Sequence, residues 1–297
     1  MKLKKCVIIP ISCSYSFRFV IVVLYFFVSL RRKNNHKNHK DMNREIDLSI
    51  SAYGVTKPLN YDMVILPWGA TEPHNLHLPY LTDSILAHDV AVDAAQMALD
   101  KYGIRTMVLP PVMMGAQNPG QRDLKFCIHY RYDTQRAILA DIVGSLHHQG
   151  FRKLLIVNGH GGNSFKSMIR DLAVDYPDFL ILSSEWFTVL PAKDWFDAPG
   201  DHADELETSV MMHYHPELVN LDEAGPGKAH PFALESLQMK TAWLPRHWTK
   251  VTSDTGIGDP RLATAEKGKR FAEAVADRYA TLLREFATLS SPDDIYA

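Results

Sequence analysis

The fold of this 297-residue chain is limited most strongly by a short apolar run that ends in a turn rich in acidic and histidine residues. Residues 63–67, Met-Val-Ile-Leu-Pro, have the length and composition of a strand buried on both faces. The turn over residues 68–83 carries Glu72, His74, His77 and Asp83. Since α/β folds bind ligands at the ends of buried strands, and carboxylates and imidazoles bind divalent metals, this segment predicts a metal site at a sheet edge.

The same residues also fit a solvated surface turn in which Asp83 caps the following helix. The spacing of Glu72 and His74 favours a shared site, because residues i and i+2 of an extended segment point the same way. Pro73 between them stiffens that geometry.

Short apolar runs alternate with helical patterns over the rest of the chain. We predict strands over residues 62–67, 104–109, 153–157 and 179–183, and helices over residues 83–102, 164–174, 206–214 and 262–286. A further helix begins at Asp133 or Thr134 as its cap and is closed by Gly150. Strands separated by such helices indicate right-handed βαβ units around a mainly parallel sheet, and residues 226–260 are predicted as irregular loops around a site or interface.

The first 41 residues differ from the rest, because an apolar segment over residues 7–30 lies between two basic runs. Three interpretations stay open: a signal peptide, a membrane anchor, or an upstream extension before a start at Met42. Arg18 and the lack of a small-residue cleavage site argue against a signal peptide, and a membrane span would carry Arg18 at a cost. We favour the third interpretation, because the residues from Met42 onward lead directly into globular-type sequence. We therefore divide the chain into an extension, residues 1–41, and one domain, residues 42–297.

Charge and cysteine content narrow the class of protein. A net charge of -2 gives no reason to expect a polyanionic partner, so nucleic-acid binding is not predicted. Three scattered cysteines form neither a disulfide framework nor a thiolate metal site, which fits a reducing compartment. We predict a cytoplasmic protein, exported or membrane-anchored only if residues 1–41 are retained.

Two further polar segments carry metal-binding residue types. In Asn158-Gly-His-Gly-Gly-Asn163 the spacing fits no common phosphate loop, so His160 is better explained as a metal ligand, with Asn163 capping the next helix or binding substrate. In the segment over residues 201–209, first-turn acids of a helix explain Asp204 and Glu205 but leave His202 unexplained. Glu207 lies beside apolar residues and is either solvent-facing or a ligand.

Four segments, in order along the chain, resemble signature motifs of the creatininase family, also called creatinine amidohydrolases. They are Trp68-Gly-Ala-Thr-Glu72-Pro-His74 with Thr82-Asp83, Asn158-Gly-His-Gly-Gly-Asn163, His202-Ala-Asp-Glu-Leu-Glu207-Thr-Ser, and Thr255-Gly-Ile-Gly-Asp-Pro260 with Ala263-Thr-Ala-Glu-Lys-Gly268. The resemblance spans most of residues 60–285. It implies a three-layer α/β sandwich around a mainly parallel sheet, often a homohexamer, with a centre of two divalent metals.

The resemblance also implies roles for individual residues. Asp83 would bridge the two metals, Glu72 and His160 would complete one of them, and His74 with a further carboxylate would hold the other. His202 aligns with the catalytic histidine of the family. Creatininase proper has a ligating Glu where this chain has Gly162, and we expect Glu207 to supply the missing carboxylate.

The middle loop departs from the family pattern as well, because many members carry a His and a Phe-Pro-Gly-Thr run there, whereas residues 121–132 of this chain read Gln-Arg-Asp-Leu-Lys-Phe-Cys-Ile-His-Tyr-Arg-Tyr. This difference disfavours creatinine itself as the substrate. Candidate substrate contacts are His77, His129 and Asn163, and the basic residues of the middle loop are candidates for binding an anionic part of the substrate. Those basic residues are Arg122, Lys125, His129 and Arg131.

The sequence therefore predicts a metal-dependent amidohydrolase that cleaves a small, cyclic or open-chain, non-peptide C–N bond with Zn or Mn, iron being a further candidate. Water shared by the two cations would attack the carbonyl carbon as hydroxide, and His202 would move a proton to the leaving nitrogen. Two alternatives stay open: a peptidase-like member that trims a modified peptide, and a non-catalytic protein that retains one metal. The predicted partners are a small amide substrate and further copies of the chain.

Overall fold

The computed structural model describes residues 44–296, and the predicted extension over residues 1–41 lies outside the described residues. The strands are β1 (Met63–Trp68), β2 (Thr106–Val108), β3 (Lys153–Asn158) and β4 (Leu180–Glu185). They form one sheet in the order β2-β1-β3-β4, and every neighbouring pair is parallel. The prediction of a mainly parallel sheet is confirmed.

The helices of the described part fill the connections between strands and the C-terminal region. They are α1 (Tyr53–Thr56), α2 (Thr82–Tyr102), α3 (Tyr132–His148), α4 (Lys166–Asp175), α5 (Glu205–Tyr214), α6 (Glu235–Gln238), α7 (Trp248–Val251) and α8 (Ala265–Thr288). Short 3-10 turns lie at Gln121–Asp123, Trp186–Thr188, Ala192–Asp194, Pro216–Leu218, Leu221–Glu223, Pro260–Leu262 and Pro292–Ile295.

Helices cover both faces of the sheet, which explains why β1 is apolar along its whole length. Met63 and Ile65 face one way and pack with α2, α5 and α8. Val64 and Leu66 face the other way and pack with α3 and α4. Because successive residues of a strand point to opposite faces, a strand buried on both sides needs an unbroken apolar run. The predicted three-layer α/β sandwich is confirmed.

One predicted cap is wrong. The helix expected to begin at Asp133 or Thr134 begins at Tyr132, with Arg131 in the N-cap position and no side chain capping it. The helix is instead secured by packing of Leu139 and Val143 against the sheet. Tertiary packing therefore outweighs the capping preference here.

A helix needs about 20 apolar residues to cross a bilayer. No helix between residues 44 and 296 meets that requirement.

Candidate metal centre

The candidate site lies where β1 and β3 end side by side. Trp68, the last residue of β1, pairs with Asn158, the last residue of β3. The loop after β1 carries Glu72 and His74, and the loop after β3 carries His160, so parallel pairing delivers all three side chains to one edge of the sheet.

Asp83 joins them from the first turn of α2. A Cβ atom on Gly159 would overlap the carbonyl oxygen of Asp83, so only glycine allows α2 to approach the end of β3 this closely. The N-cap of α2 is Leu81, and Asp83 makes no capping bond. The structure therefore does not support the interpretation of Asp83 as a simple helix cap.

Asp83 lies between two groups of potential metal ligands. On one side, His160 Nδ1 lies 2.9 Å from Glu72 Oε1 and 3.1 Å from Asp83 Oδ2. On the other side, His74 Nε2 lies 2.8 Å from Asp83 Oδ1. His74, Asp83 and Glu207 form a set whose ligand atoms lie within 4.8 Å of one another, as do Glu72, Asp83 and His160.

The structure thus brings together all five residues predicted as metal ligands, Glu72, His74, Asp83, His160 and Glu207, and buries their side chains. Asp83 Oδ2 is buried, and its 3.1 Å contact with His160 Nδ1 is too poorly aligned to be a hydrogen bond. Three carboxylates and two imidazoles suit Zn, Mn or Fe, and the shared position of Asp83 suits a bridge between two cations. The donor set therefore fits a two-metal centre.

Without cations, the five groups perturb one another strongly. Burial would lower the pKa of His74, but Asp83, Glu207 and Glu72 raise it to about 10. Burial raises the pKa of Glu207 to about 8, against the opposing effect of His74. Burial would also raise the pKa of Asp83, yet the charges of His74 and His160 hold it below its usual range. His74 and Asp83 thus stabilise each other's charge while Glu207 tends to keep its proton, and a buried cluster of this kind is one in which cations can replace protons.

The backbone carbonyl of Ala116 determines which nitrogen of His160 faces the centre. His160 Nε2 donates a hydrogen bond to that oxygen at 2.7 Å, which leaves Nδ1 free to face Glu72 and Asp83. Gly162 provides the space for this contact, because a Cβ atom there would overlap both the Ala116 oxygen and His160 Nε2. A glutamate at position 162 therefore does not fit beside this arrangement, and Glu207 is the carboxylate that reaches His74 and Asp83.

His202 lies beside the five candidate ligands. Its Nε2 donates to the carbonyl oxygen of Pro73 at 2.9 Å, and its Nδ1 lies 3.7 Å from Glu72 Oε1. Its ring packs 4.3 Å from the His74 ring and at right angles to Trp248. Burial and the neighbouring His74 lower the pKa of His202. In the neutral ring the proton is on Nε2, so Nδ1, which faces the candidate metal centre, has a free lone pair.

A cavity of about 730 Å³ opens beside these residues, and its wall includes Glu72, Asp83, His160, His202 and Glu207. The rest of the wall comes mainly from residues 116–121, 187–192, 200–206 and 243–248. This volume lies within the range of small-molecule sites, about 300–1,000 Å³.

The residues predicted to contact substrate do not line this cavity. His77 Nε2 bonds the Thr208 hydroxyl, and His129 Nδ1 accepts a hydrogen bond from the backbone of Gln117. Asn163 bonds the backbone at Gly69 and Ala116 as well as the side chain of Asn158, and Phe165 rather than Asn163 precedes α4 as its N-cap. The bonds that these side chains make organise the loops, while His77 Nδ1 is buried without a hydrogen-bond partner among the described residues. Arg122, Lys125 and Arg131 are likewise absent from the wall.

Sequence reasoning missed two glutamines that do line the cavity. Gln121 is buried and donates from Nε2 to Glu72 Oε2. The side-chain amide of Gln117 is buried, and neither its oxygen nor its nitrogen has a hydrogen-bond partner among the described residues. Both lie in an irregular loop with no periodic pattern, so the sequence offers no signal that would find them.

Comparison with known proteins identifies the family of the chain. A family model described as "Creatininase: Creatinine amidohydrolase" matches residues 56–283. The chain belongs to the creatininase family. A mycofactocin precursor peptide peptidase of Mycobacterium ulcerans (strain Agy99) is 32% identical over 240 residues, which are 76% of this chain and 87% of the relative. The creatinine amidohydrolase of Pseudomonas putida is 23% identical over 252 residues, 75% of this chain and 89% of that protein.

Solved structures of similar fold include three that are described as creatininases or creatinine amidohydrolases. A Bacteroides fragilis NCTC 9343 protein, provisionally described as a creatinine amidohydrolase, has a TM-score of 0.83 and 63% sequence identity over 84% of this chain and 99% of its own. A manganese creatininase has a TM-score of 0.65 at 20% identity, over 82% of this chain and 100% of its own. A creatininase variant of Zn–Zn type has a TM-score of 0.60 at 22% identity, over 76% of this chain and 91% of its own. The last two share the fold.

Proposed function

We propose that this chain is a two-metal amidohydrolase that cleaves a C–N bond of a small amide. The observation that carries the proposal is the position of Asp83, whose two oxygens face His74 and His160 on opposite sides. Glu72 completes one group of ligands and Glu207 completes the other. One carboxylate shared by two ligand groups is the arrangement that holds a pair of cations close together.

The metal pair would be Zn or Mn, with iron as a further candidate, because the five residues offer only nitrogen and oxygen. When bound, such a pair makes a water molecule more acidic and stabilises negative charge on a carbonyl oxygen. Further hydrogen bonds hold the metal-binding side chains in position. The backbone oxygen of Ala116 orients His160, and Gln121 donates to Oε2 of Glu72.

His202 is suited to proton transfer. Because its Nε2 is engaged with Pro73, its Nδ1 can take a proton at the side that faces Glu72 and return it to the leaving nitrogen. Trp248 packs against the ring and limits its rotation. Gln117 lies in the same wall with an unpaired amide, which can donate to a substrate carbonyl and accept from a substrate N–H.

A peptide-like substrate is the second candidate. The relative from Mycobacterium ulcerans is named as a peptide peptidase, and a cavity of about 730 Å³ has room for more than a ring of creatinine size. A different relative, from Thermotoga maritima, is named a 3-dehydro-scyllo-inosose hydrolase and is 26% identical over 250 residues, 75% of this chain and 77% of its own length. The family fold therefore serves hydrolysis of several substrate classes. The cytoplasmic location and assembly into a homo-oligomer stay predictions.

A hydrolysis screen tests the proposal. Lactams, formamides, creatinine and short acyl peptides are incubated with the Zn- or Mn-loaded protein, and the released amine is quantified. We expect turnover of at least one class, two metal equivalents per chain, and a loss of about 10²–10⁴ in kcat for His202→Gln with both metals retained. One tight equivalent without hydrolysis of any amide would instead support the non-catalytic alternative.

A further inference from the structure

Arg246 places a guanidinium group in the wall of the cavity. It follows the exposed Trp243-Leu244-Pro245 segment, which lines the cavity too. Among the Lys and Arg residues of the described part of the chain, Arg246 alone lines this cavity. The basic residues of the middle loop, which the sequence suggested for an anionic substrate, lie elsewhere. Arg246 therefore provides the positive charge that they were expected to provide.

Two residues of the same wall hold the guanidinium. Its Cζ atom lies 5.1 Å from the centre of the Trp248 ring, within the range of a cation–π contact. One of its nitrogens, Nη2, lies 2.6 Å from Asp201 Oδ2. The Trp248 side chain is buried, so its ring is a fixed support for the guanidinium, and both residues line the cavity.

The partner of Arg246 is easily exchanged. The side chains of Arg246 and Asp201 are 35% and 53% exposed, and exposed ion pairs contribute little to stability. A carboxylate entering the cavity can take the place of Asp201, because the planar guanidinium binds carboxylates in a two-pronged fashion. Asp201 then turns toward solvent.

The guanidinium lies close enough to His202 to act on the same substrate molecule. Trp248 separates the two groups, with its ring 5.1 Å from Arg246 Cζ and 5.2 Å from the His202 ring. Arg246 Cζ and the His202 ring are thus no more than about 10 Å apart, the length of roughly three extended residues.

We propose that Arg246 binds a carboxylate of the substrate, so that the substrate is an amide whose free carboxylate lies within about the length of three extended residues of the cleaved C–N bond. The proposal rests on the proposed function for the bond that is cleaved, and it names the substrate class. Both the small amide and the peptide-like candidate can carry such a group.

Binding of matched probes tests this subsite. Benzoylglycine and benzoylglycylglycine, each with its carboxamide, are titrated by calorimetry into the metal-loaded full chain. We expect at least one free acid to bind about 10- to 100-fold more tightly than its carboxamide. Arg246→Met, which keeps an apolar stem over Trp248, should bring that ratio to about one. Arg261→Met is the matched control, since Arg261 pairs with Asp259 outside the cavity wall.

Three results would overturn the subsite: no detectable binding of either acid, no preference for the acids, or a preference that Arg246→Met leaves unchanged because the metals supply it. Release of free amine or ammonia from the same samples separates this inference from the proposed function. An Arg246-dependent preference without hydrolysis of any amide would leave the subsite standing and contradict the proposed function. Hydrolysis of an amide without an Arg246-dependent preference for the acids would support the proposed function and contradict the subsite.

Discussion

His160 donates from Nε2 to the carbonyl oxygen of Ala116 across 2.7 Å, and this contact directs Nδ1 toward the candidate metal centre. The contact exists because position 162 has no side chain. Gly162 lies directly against both partners, so the glycine turn after β3 is part of the ligand geometry rather than a plain connection.

The first prediction follows from that packing. Gly162→Ala should push the His160 ring out of position, since the added Cβ would overlap Ala116 and His160. We expect metal affinity to fall about 10- to 100-fold, measured by competition with a chromogenic chelator. Gly161→Ala is the matched control, because nothing lies within 4 Å of a Cβ at that position. Equal metal affinity of the two variants would contradict the role of the Ala116 contact.

A second prediction concerns the outer oxygen of Glu72. Gln121→Leu removes the amide that donates to Glu72 Oε2 and that accepts from the backbone N–H of Asn118. An unpaired buried carboxylate oxygen should lower the free energy of unfolding by about 1–3 kcal/mol and weaken zinc binding about 10-fold. Urea denaturation and zinc titration measure the two effects.

Gln117→Leu provides the comparison for Gln121→Leu. The Gln117 amide has no hydrogen-bond partner among the described residues, so its loss should leave stability unchanged or raise it. Similar losses of zinc affinity in the two variants would show that the loop as a whole, rather than the Gln121–Glu72 bond, supports the centre.

The sequence predicted the sheet well because burial on two faces leaves an unmistakable pattern. The strand expected over residues 62–67 is Met63–Trp68, and the helix expected over residues 83–102 is Thr82–Tyr102. Cap positions were less predictable. Arg131 precedes α3 although Asp133 and Thr134 are better capping residues, because packing on the sheet fixes where that helix begins.

The candidate ligands were predictable where polar residues follow buried strands. Glu72, His74 and His160 follow β1 and β3, and parallel pairing brings those strand ends together. Asp83 and Glu207 were harder, since the same residue types also serve as helix caps and first-turn acids. Only coordinates show that the Asp83 carboxylate faces His74 and His160 instead of the helix backbone.

The residues that line the cavity away from the motifs could not be predicted from the sequence. Gln121 reaches Glu72 across 49 residues of sequence, and Arg246 reaches the cavity from a loop without periodicity. The sequence also did not show the surroundings of His77 and Asn163, whose positions near the motifs suggested substrate contact and which do not line the cavity. In the fold His77 Nε2 bonds Thr208, and Asn163 bonds Asn158 and the backbone, because most buried polar groups find partners within the protein.

A pH-dependent contribution to stability is expected at a cluster that does not line the cavity. His88 on α2 contacts Asp47 at 3.2 Å and Asp89 at 3.4 Å. Burial would lower the pKa of His88, but these two carboxylates raise it to about 9. Its contribution is therefore complete below pH about 6.5, the pKa of the unfolded chain, and is lost as pH rises through about 9.

His88→Gln should accordingly remove about 1–2 kcal/mol of stability at pH 6, allowing for solvent screening, and much less at pH 10. Chemical denaturation at both pH values measures the difference. His148→Gln, at an exposed position at the end of α3, controls for the loss of a histidine. A stability difference between wild type and His88→Gln that does not change with pH would rule out this account of the Asp47–His88–Asp89 cluster.

Anomalous diffraction from crystals of the zinc-loaded protein, recorded at the zinc edge, tests the two-metal centre most directly. We predict two peaks per chain that share Asp83, one also bound by Glu72 and His160 and the other by His74 and Glu207. A single peak in this cluster, no peak, or zinc bound by other residues would contradict the two-metal centre.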